Sequence, residues 1–214
     1  MTTDPEATPA ETSESDLIAL ARRRLAGYRP AELELNGWKP AAVLLLLYPL
    51  AGSEHIVLTV RSETVEDHKG QISFPGGAVH AADADLETTA IRETYEEVGI
   101  DPDAIEPIGR LDDMVTVSNF RVTPVVGVLH GGPHEFRPSP DEVAEVLEVP
   151  LRHLLDPANR VVEWRERRGE LTQNPAYEFN GYRVWGATAR MLSGFLELLS
   201  DSGTTADADE ENRS

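Results

Sequence analysis

Apolar positions along the chain repeat with two different periods. Leu17, Leu20, Ala21 and Leu25 form a stripe behind Asp16, a side chain suited to a helix N-cap. Leu86, Ala90, Ile91, Thr94, Tyr95 and Val98 share one half of a helical wheel, so a helix over Leu86–Val98 is expected to bury that half. A third amphipathic stretch, Ala187–Leu199, closes the patterned region. Ala41–Tyr48 and His55–Arg61 read instead as strands, and the intervening PLAGSE makes them a hairpin. Ile105–Leu111, Arg121–His130, Val161–Arg167 and Tyr182–Trp185 are further strand signals. Pro124 places the second of these near an edge or a bulge, and Asn180–Gly181 reads as a turn. Residues 62–84 are punctuated by Gly and Pro, and residues 141–155 mix helix and strand signals without a clear period. Strands interleaved with three helices predict an α/β layered fold.

This patterning occupies residues 16–200 of 214 and is read as one domain without internal repeats. Residues 1–15 carry Met1 as their sole bulky apolar side chain and residues 201–214 carry none, so both are expected to be disordered acidic tails. The N-terminal segment lacks the basic start and apolar stretch of a signal peptide, and no apolar run reaches the ~20 residues of a membrane helix. There is no Cys, which excludes disulfides and thiolate chemistry. The expected location is cytoplasmic, with no membrane partner. The net charge is −19, of which about −10 remains once the termini are set aside. Such a chain is not expected to bind nucleic acid, and an anionic substrate would need locally placed cations or a metal.

The chemistry concentrates between Phe74 and Ile100. Glu93, Glu96 and Glu97 crowd one arc of the Leu86–Val98 helix at i, i+3 and i, i+4 spacings, and their mutual repulsion costs helix stability. A bound cation would offset that cost. Oxygen-only ligands on a rigid element suit hard Mg²⁺ or Mn²⁺. Arg92 stands four residues before Glu96 and can hold it in place. Asp83 or Asp85 can cap the helix start, and Gly99 suits its end. Upstream, Gly76 and Gly77 form a tight turn whose backbone can approach a metal or phosphate closely.

The Gly-Gly turn followed by Arg92-Glu93-Thr94-Tyr95-Glu96-Glu97-Val98-Gly99-Ile100 resembles the Nudix box, G-x5-E-x7-R-E-U-x-E-E-x-G-U, with U a bulky apolar residue. Thr94 departs mildly at the first U. One extra residue separates Gly77 from Arg92, and Asp83 or Asp85 stands near the position of the early Glu. The longer box is similar to that of Nudix enzymes that cleave coenzyme A. Their upstream signature, L-L-T-x-R-[SA]-x3-R-x3-G-x3-F-P-G-G, is matched by Val57-Leu58-Thr59-Val60-Arg61-Ser62, Gly70 and Phe74-Pro75-Gly76-Gly77. Val57 replaces the first Leu and Glu66 the second Arg. Arg121–Val125 and Tyr182–Arg190 also resemble this subfamily.

The resemblance implies a Nudix-type α/β/α sandwich with a mixed sheet and a loop-helix-loop box. It implies metal-dependent hydrolysis of coenzyme A or acyl-CoA to adenosine 3′,5′-bisphosphate and (acyl-)4′-phosphopantetheine. Glu93, Glu96 and Glu97 would hold Mg²⁺ or Mn²⁺ with the Gly77 carbonyl, and Arg92 would orient them. Glu96, or an acid outside the box such as Glu142 or Glu145, would activate water. Gly76, Gly77, Arg61, Lys69 and His68 would contact substrate, and Ser118–Phe120 could border the nucleotide. A homodimer is possible on the same ground. Two alternatives stay open: a Nudix diphosphatase for ADP-ribose, NADH or an oxidised nucleoside triphosphate, and a non-catalytic nucleotide-binding module. Trp38, Trp164 and Trp185 are read as packing residues rather than stacking platforms.

Overall fold

A computed structural model describes residues 16–62, 70–131, 134–167 and 170–200, with side chains 165–167 and 170 left aside. The expected tails, together with Glu66, His68 and Lys69, lie outside the described residues.

Helix α1 spans Asp16–Gly27. Strand β1, Lys39–Leu50, turns back into β2, Ser53–Arg61, as a hairpin in which Leu50 pairs with Ser53. Ala51 and Gly52 both take positive φ at its tip. Two short strands follow, β3 (Ile72–Ser73) and β4 (Gly76–Ala78), and then helix α2, Leu86–Val98. Strands β5 (Ile105–Arg110), β6 (Met114–Val115) and β7 (Phe120–Leu129) complete one side of the sheet. β8, Val143–Pro150, pairs with the far side of β2 and leads into a short helix α3, Leu151–Leu155. Strands β9 (Arg160–Arg167), β10 (Glu170–Phe179) and β11 (Tyr182–Val184) form a second, antiparallel sheet before helix α4, Gly186–Ser200.

The large sheet is mixed. β1 runs parallel to β7 and antiparallel to β2 and β4. Its run of apolar residues is buried on both faces, as a central strand requires. Ala42, Leu44 and Leu46 pack beneath α2 with Ala90 and Val98. Ala41, Leu45 and Leu47 point the other way, towards α1 and α4. Helices on both faces make the α/β/α sandwich.

Several expectations need correction. Pro124 lies in a central strand, paired with Val43 of β1, not at an edge. Its carbonyl accepts from the Leu111 amide at 2.9 Å, between the last β5 pair at Val125 and the first β6 pair at Val122. The absent N–H of Pro124 thus falls in a gap of the ladder and removes no bond. Within the mixed-signal 141–155 region, Glu142 lies in a turn and Glu145 in β8. The α-helices number four among the described residues, α3 falling inside the unassigned 141–155 region. β10 was not anticipated. Trp164 is 62 % exposed and packs in no core.

Candidate functional site

The site is assembled where β4 meets α2. Gly76 has φ +154°, and a side chain there would strike the Ala42 carbonyl and Val43 of β1. A Cβ on Gly77 would come within 2.5 Å of the Glu93 carboxylate. Glycine at both positions therefore lets the turn lie directly against the box carboxylates. The Leu44 amide donates to the Pro75 carbonyl at 2.8 Å and fixes this turn on the sheet. Asp85 caps α2, accepting the Thr88 amide at 2.8 Å, and Gly99 ends it with φ +72°.

The buried face of α2 is rotated from the expected one. Tyr95 is 54 % exposed, whereas Thr89, Ala90, Thr94, Glu97 and Val98 are buried. The three glutamates consequently occupy three environments. Glu96 is exposed. Glu93 is partly buried, which raises its proton affinity above the ordinary carboxylate value, while Arg92 opposes the shift. Glu97 is 3 % exposed. Burial pushes its carboxyl up to about 8; Arg61 works against this, Glu142 and Glu93 add to it, and the Gly76 amide bond opposes it. One Glu97 oxygen, Oε2, is buried without a hydrogen-bond partner.

Arg92 ties the cluster together. Its Nη1 donates to Glu93 Oε1 at 2.8 Å and to Glu96 Oε2 at 3.1 Å. Its Nη2 also reaches the Ala78 carbonyl at 3.1 Å. The main partner, however, is Asp83, which receives Nε at 2.9 Å and Nη2 at 3.0 Å. Asp83 also accepts the His80 amide and the Thr89 hydroxyl, each at 2.9 Å. The Arg92 guanidinium above all, with these added bonds, holds its carboxyl well below the usual range. Of the two aspartates weighed as caps, Asp85 caps and Asp83 anchors the arginine. Helix periodicity gave no sign of this pair because Asp83 sits in the preceding loop, six residues after Gly77.

Two residues from distant segments join the cluster. The Ser139 amide bonds the Glu97 carbonyl at 2.9 Å, and the Ser62 amide bonds the Glu142 carbonyl at 2.8 Å. These links stitch the turn before β8 between the end of α2 and the end of β2. Arg61 and Glu142 are thereby brought near enough to Glu97 to shift its proton affinity. The Arg61 Nε is also buried without a hydrogen-bond partner. Glu145 is turned to another task, accepting the Tyr182 hydroxyl.

No three His, Asp or Glu side chains among the described residues converge into a ready-made metal cage. The donor set still fits a hard divalent cation: clustered carboxylates, a Gly77 backbone pressed against Glu93, and a buried Glu97 oxygen that lacks a donor. A cation placed there would satisfy that oxygen and relieve the burial of its charge.

The sequence matches the NUDIX domain family over residues 38–173, more than half of the chain. It is 39% identical over 175 residues to a Klebsiella pneumoniae protein named uncharacterized Nudix hydrolase NudL, covering 81% of this chain and 88% of that one. A Citrobacter koseri protein of the same name is 41% identical over 137 residues, 64% of this chain and 71% of its own. Among solved structures, a Nudix hydrolase from M. smegmatis, RenU, aligns with a TM-score of 0.46 at 21% identity, over 56% of this chain and 75% of that one. The chain belongs to the Nudix domain family.

Proposed function

We propose that this chain is a divalent-metal-dependent diphosphatase acting on coenzyme A or acyl-CoA, with adenosine 3′,5′-bisphosphate and (acyl-)4′-phosphopantetheine as products. The observation that carries the hydrolytic part is Glu97, a buried carboxylate with an unpartnered oxygen beside Glu93 and the Gly76-Gly77 turn. The choice of substrate rests on the Val57–Gly77 signature, whose Arg61 ends β2 beside Glu97.

Glu93, Glu96 and Glu97, with the Gly77 carbonyl, would hold Mg²⁺ or Mn²⁺. Such an ion neutralises diphosphate charge and makes bound water more acidic. Arg92 keeps Glu93 and Glu96 in fixed rotamers. Glu142, aligned with the Glu97 side of the cluster, takes the proton of the attacking water, and Glu96 is the second candidate for that task. Arg61 faces the substrate phosphates, with Gly76 and Gly77 lining the approach. Lys69 and His68 are assigned to the same phosphates on the signature alone.

A second reading keeps the chemistry and changes the substrate. Glu66 puts a negative charge where the signature has Arg, which favours a nucleoside diphosphate derivative without the 3′-phosphate, such as ADP-ribose. Incubation of the protein with CoA, octanoyl-CoA, ADP-ribose and NADH, with Mg²⁺, Mn²⁺ or EDTA, separates the two by mass spectrometry of products. Metal-dependent adenosine 3′,5′-bisphosphate is expected. Preferential cleavage of ADP-ribose or NADH would overturn the coenzyme A assignment.

A further inference from the structure

Residues 136–142 cross the C-terminal end of α2 as a strap with no helix or strand of its own. The Arg137 amide donates to the Val98 carbonyl at 2.8 Å, and the Ser139 amide donates to the Glu97 carbonyl at 2.9 Å. Both carbonyls lie in the last turn of the helix, where no intrahelical donor remains. The strap therefore caps the helix that carries the box carboxylates. Gly99 permits the approach: a Cβ there would lie 2.8 Å from the Arg137 Cβ and 3.1 Å from its carbonyl oxygen.

The sequence stiffens this strap. Ser139 stands between Pro138 and Pro140. Its carbonyl accepts the Glu142 amide at 3.0 Å and the Val143 amide at 2.8 Å, closing a turn over Ser139-Pro140-Asp141-Glu142. Ser in the first place and Pro in the second suit such a turn, because the proline ring presets φ. The Cα atoms of Ser139 and Glu142 are thereby held within about 7 Å. The Glu142 side chain is exposed, so the turn that carries it decides where its carboxylate can reach.

One side chain seats the strap on the core. Phe136 is partly buried and packs on the apolar cluster beneath α2, which includes Leu46 and Val98. Glu135, Arg137, Pro138 and Pro140 around it are exposed. The Phe136 ring meets Tyr48 edge-on, with centroids 5.9 Å apart and planes at 70°. Tyr48 is 3 % exposed, and its hydroxyl donates to Glu148 of β8. β8 is the strand into which the strap runs, so the strap is fixed at both ends to the same tyrosine.

We infer that Phe136 is a positioning residue: through the 136–142 strap it sets the place of Glu142 at the Glu97 end of the cluster. This inference rests on the reading of Glu142 as the acid that takes the proton of the attacking water.

The test is a double-mutant cycle at saturating Mg²⁺, on whichever of CoA, ADP-ribose and NADH the wild-type protein cleaves. Phe136→Ala should lower kcat by about 10–100-fold, the usual effect of misplacing a catalytic group by about an ångström, with KM within about twofold. Phe136→Leu keeps an apolar anchor of similar size and should return kcat to within about threefold of wild type. Phe136→Ala combined with Glu142→Gln should be no slower than Glu142→Gln alone, because residues that act through one group are not additive. Ser139→Pro deletes the amide on Glu97 and leaves Phe136 in the core. It should show the same non-additivity, and it decides the matter if Phe136→Ala does not fold. A double variant slower than Glu142→Gln by the full factor of the strap substitution, or strap variants with wild-type kcat, overturns the inference and leaves the Glu142 reading standing. Wild-type kcat in Glu142→Gln overturns that reading and the inference with it. No turnover of any of the three substrates overturns the diphosphatase reading and both assignments.

Discussion

The Arg92 guanidinium forks onto the Asp83 carboxylate across nine residues, through Nε at 2.9 Å and Nη2 at 3.0 Å. The loop between Gly77 and α2 is therefore tied to the helix by a nearly buried, charge-assisted pair. Arg92 then has only Nη1 left for Glu93 and Glu96. The geometry of two box carboxylates thus depends on an aspartate that touches neither.

Asp83→Ala should lower kcat by about 10–100-fold, the usual cost of losing a partner that orients a metal ligand. The concentration of Mg²⁺ needed for half-maximal rate should rise in parallel. Because the Asp83 carboxyl is held below its usual value, its contribution to stability is present above about pH 4 and is lost as pH falls further. Acid melts of wild type and variant should converge at low pH. A kcat within twofold of wild type would separate Arg92 positioning from catalysis.

Glu97→Gln should reduce turnover by about 100-fold or more while the fold is retained, since it removes a ligand charge but keeps the side-chain volume. In EDTA at pH 8.5 the variant should melt above the wild type, because it has no buried charge to form. Calorimetry and a CoA assay on one preparation decide this. A lower melting temperature with normal specific activity would contradict the ligand assignment.

The proton affinity of Glu97 also predicts a pH dependence with a definite sign. The folded chain holds this proton up to about 8, whereas the unfolded chain releases it near about 4.3. Between those values the native state binds more protons, so stability of the metal-free protein falls as pH rises. Mg²⁺ or Mn²⁺ favours the deprotonated form, so its stabilising effect should grow over the same window. Melting temperatures with EDTA and with 5–10 mM metal (about that order, well above a typical site affinity) at pH 5.5 and 8.5 test this. A metal effect equal at both pH values would remove Glu97 from the metal site.

Much of this arrangement was legible in the sequence because it is local. The limits of α2 followed from its cap and terminal glycine, and the Asn180–Gly181 turn from its need for positive φ, observed at 48° and 82°. The family followed from the box itself. What escaped was set by tertiary contacts. Tyr95 was placed on the buried half of the helix and Glu97 on an arc with Glu93 and Glu96, since apolarity alone cannot show that one of three carboxylates will be buried beneath a glycine turn. β10 was hidden by Asn174 and Pro175, yet pairing on both sides with β9 and β11 makes it a strand. The Asp83–Arg92 pair spans a loop and has no periodicity to reveal it.

Glu142 and Glu145 were both weighed as the acid outside the box, and their surroundings differ. Glu142 lies on the turn bonded to Ser62 and raises the proton affinity of Glu97, so its charge faces the cluster. Glu145 accepts the hydroxyl of Tyr182 at the outer edge of β8, and this bond raises the tyrosine's pKa. Glu142→Gln should therefore lower kcat by about 10²–10⁴-fold, as expected for a general base, with little change in KM. Glu145→Gln should stay within about threefold of wild type, since an amide oxygen still accepts from Tyr182. The discriminating measurement is kcat against pH at saturating Mg²⁺ and CoA. Loss of the acidic limb in Glu142→Gln, with the limb retained in Glu145→Gln, identifies the base. Retention of the limb in Glu142→Gln would transfer the role to Glu96.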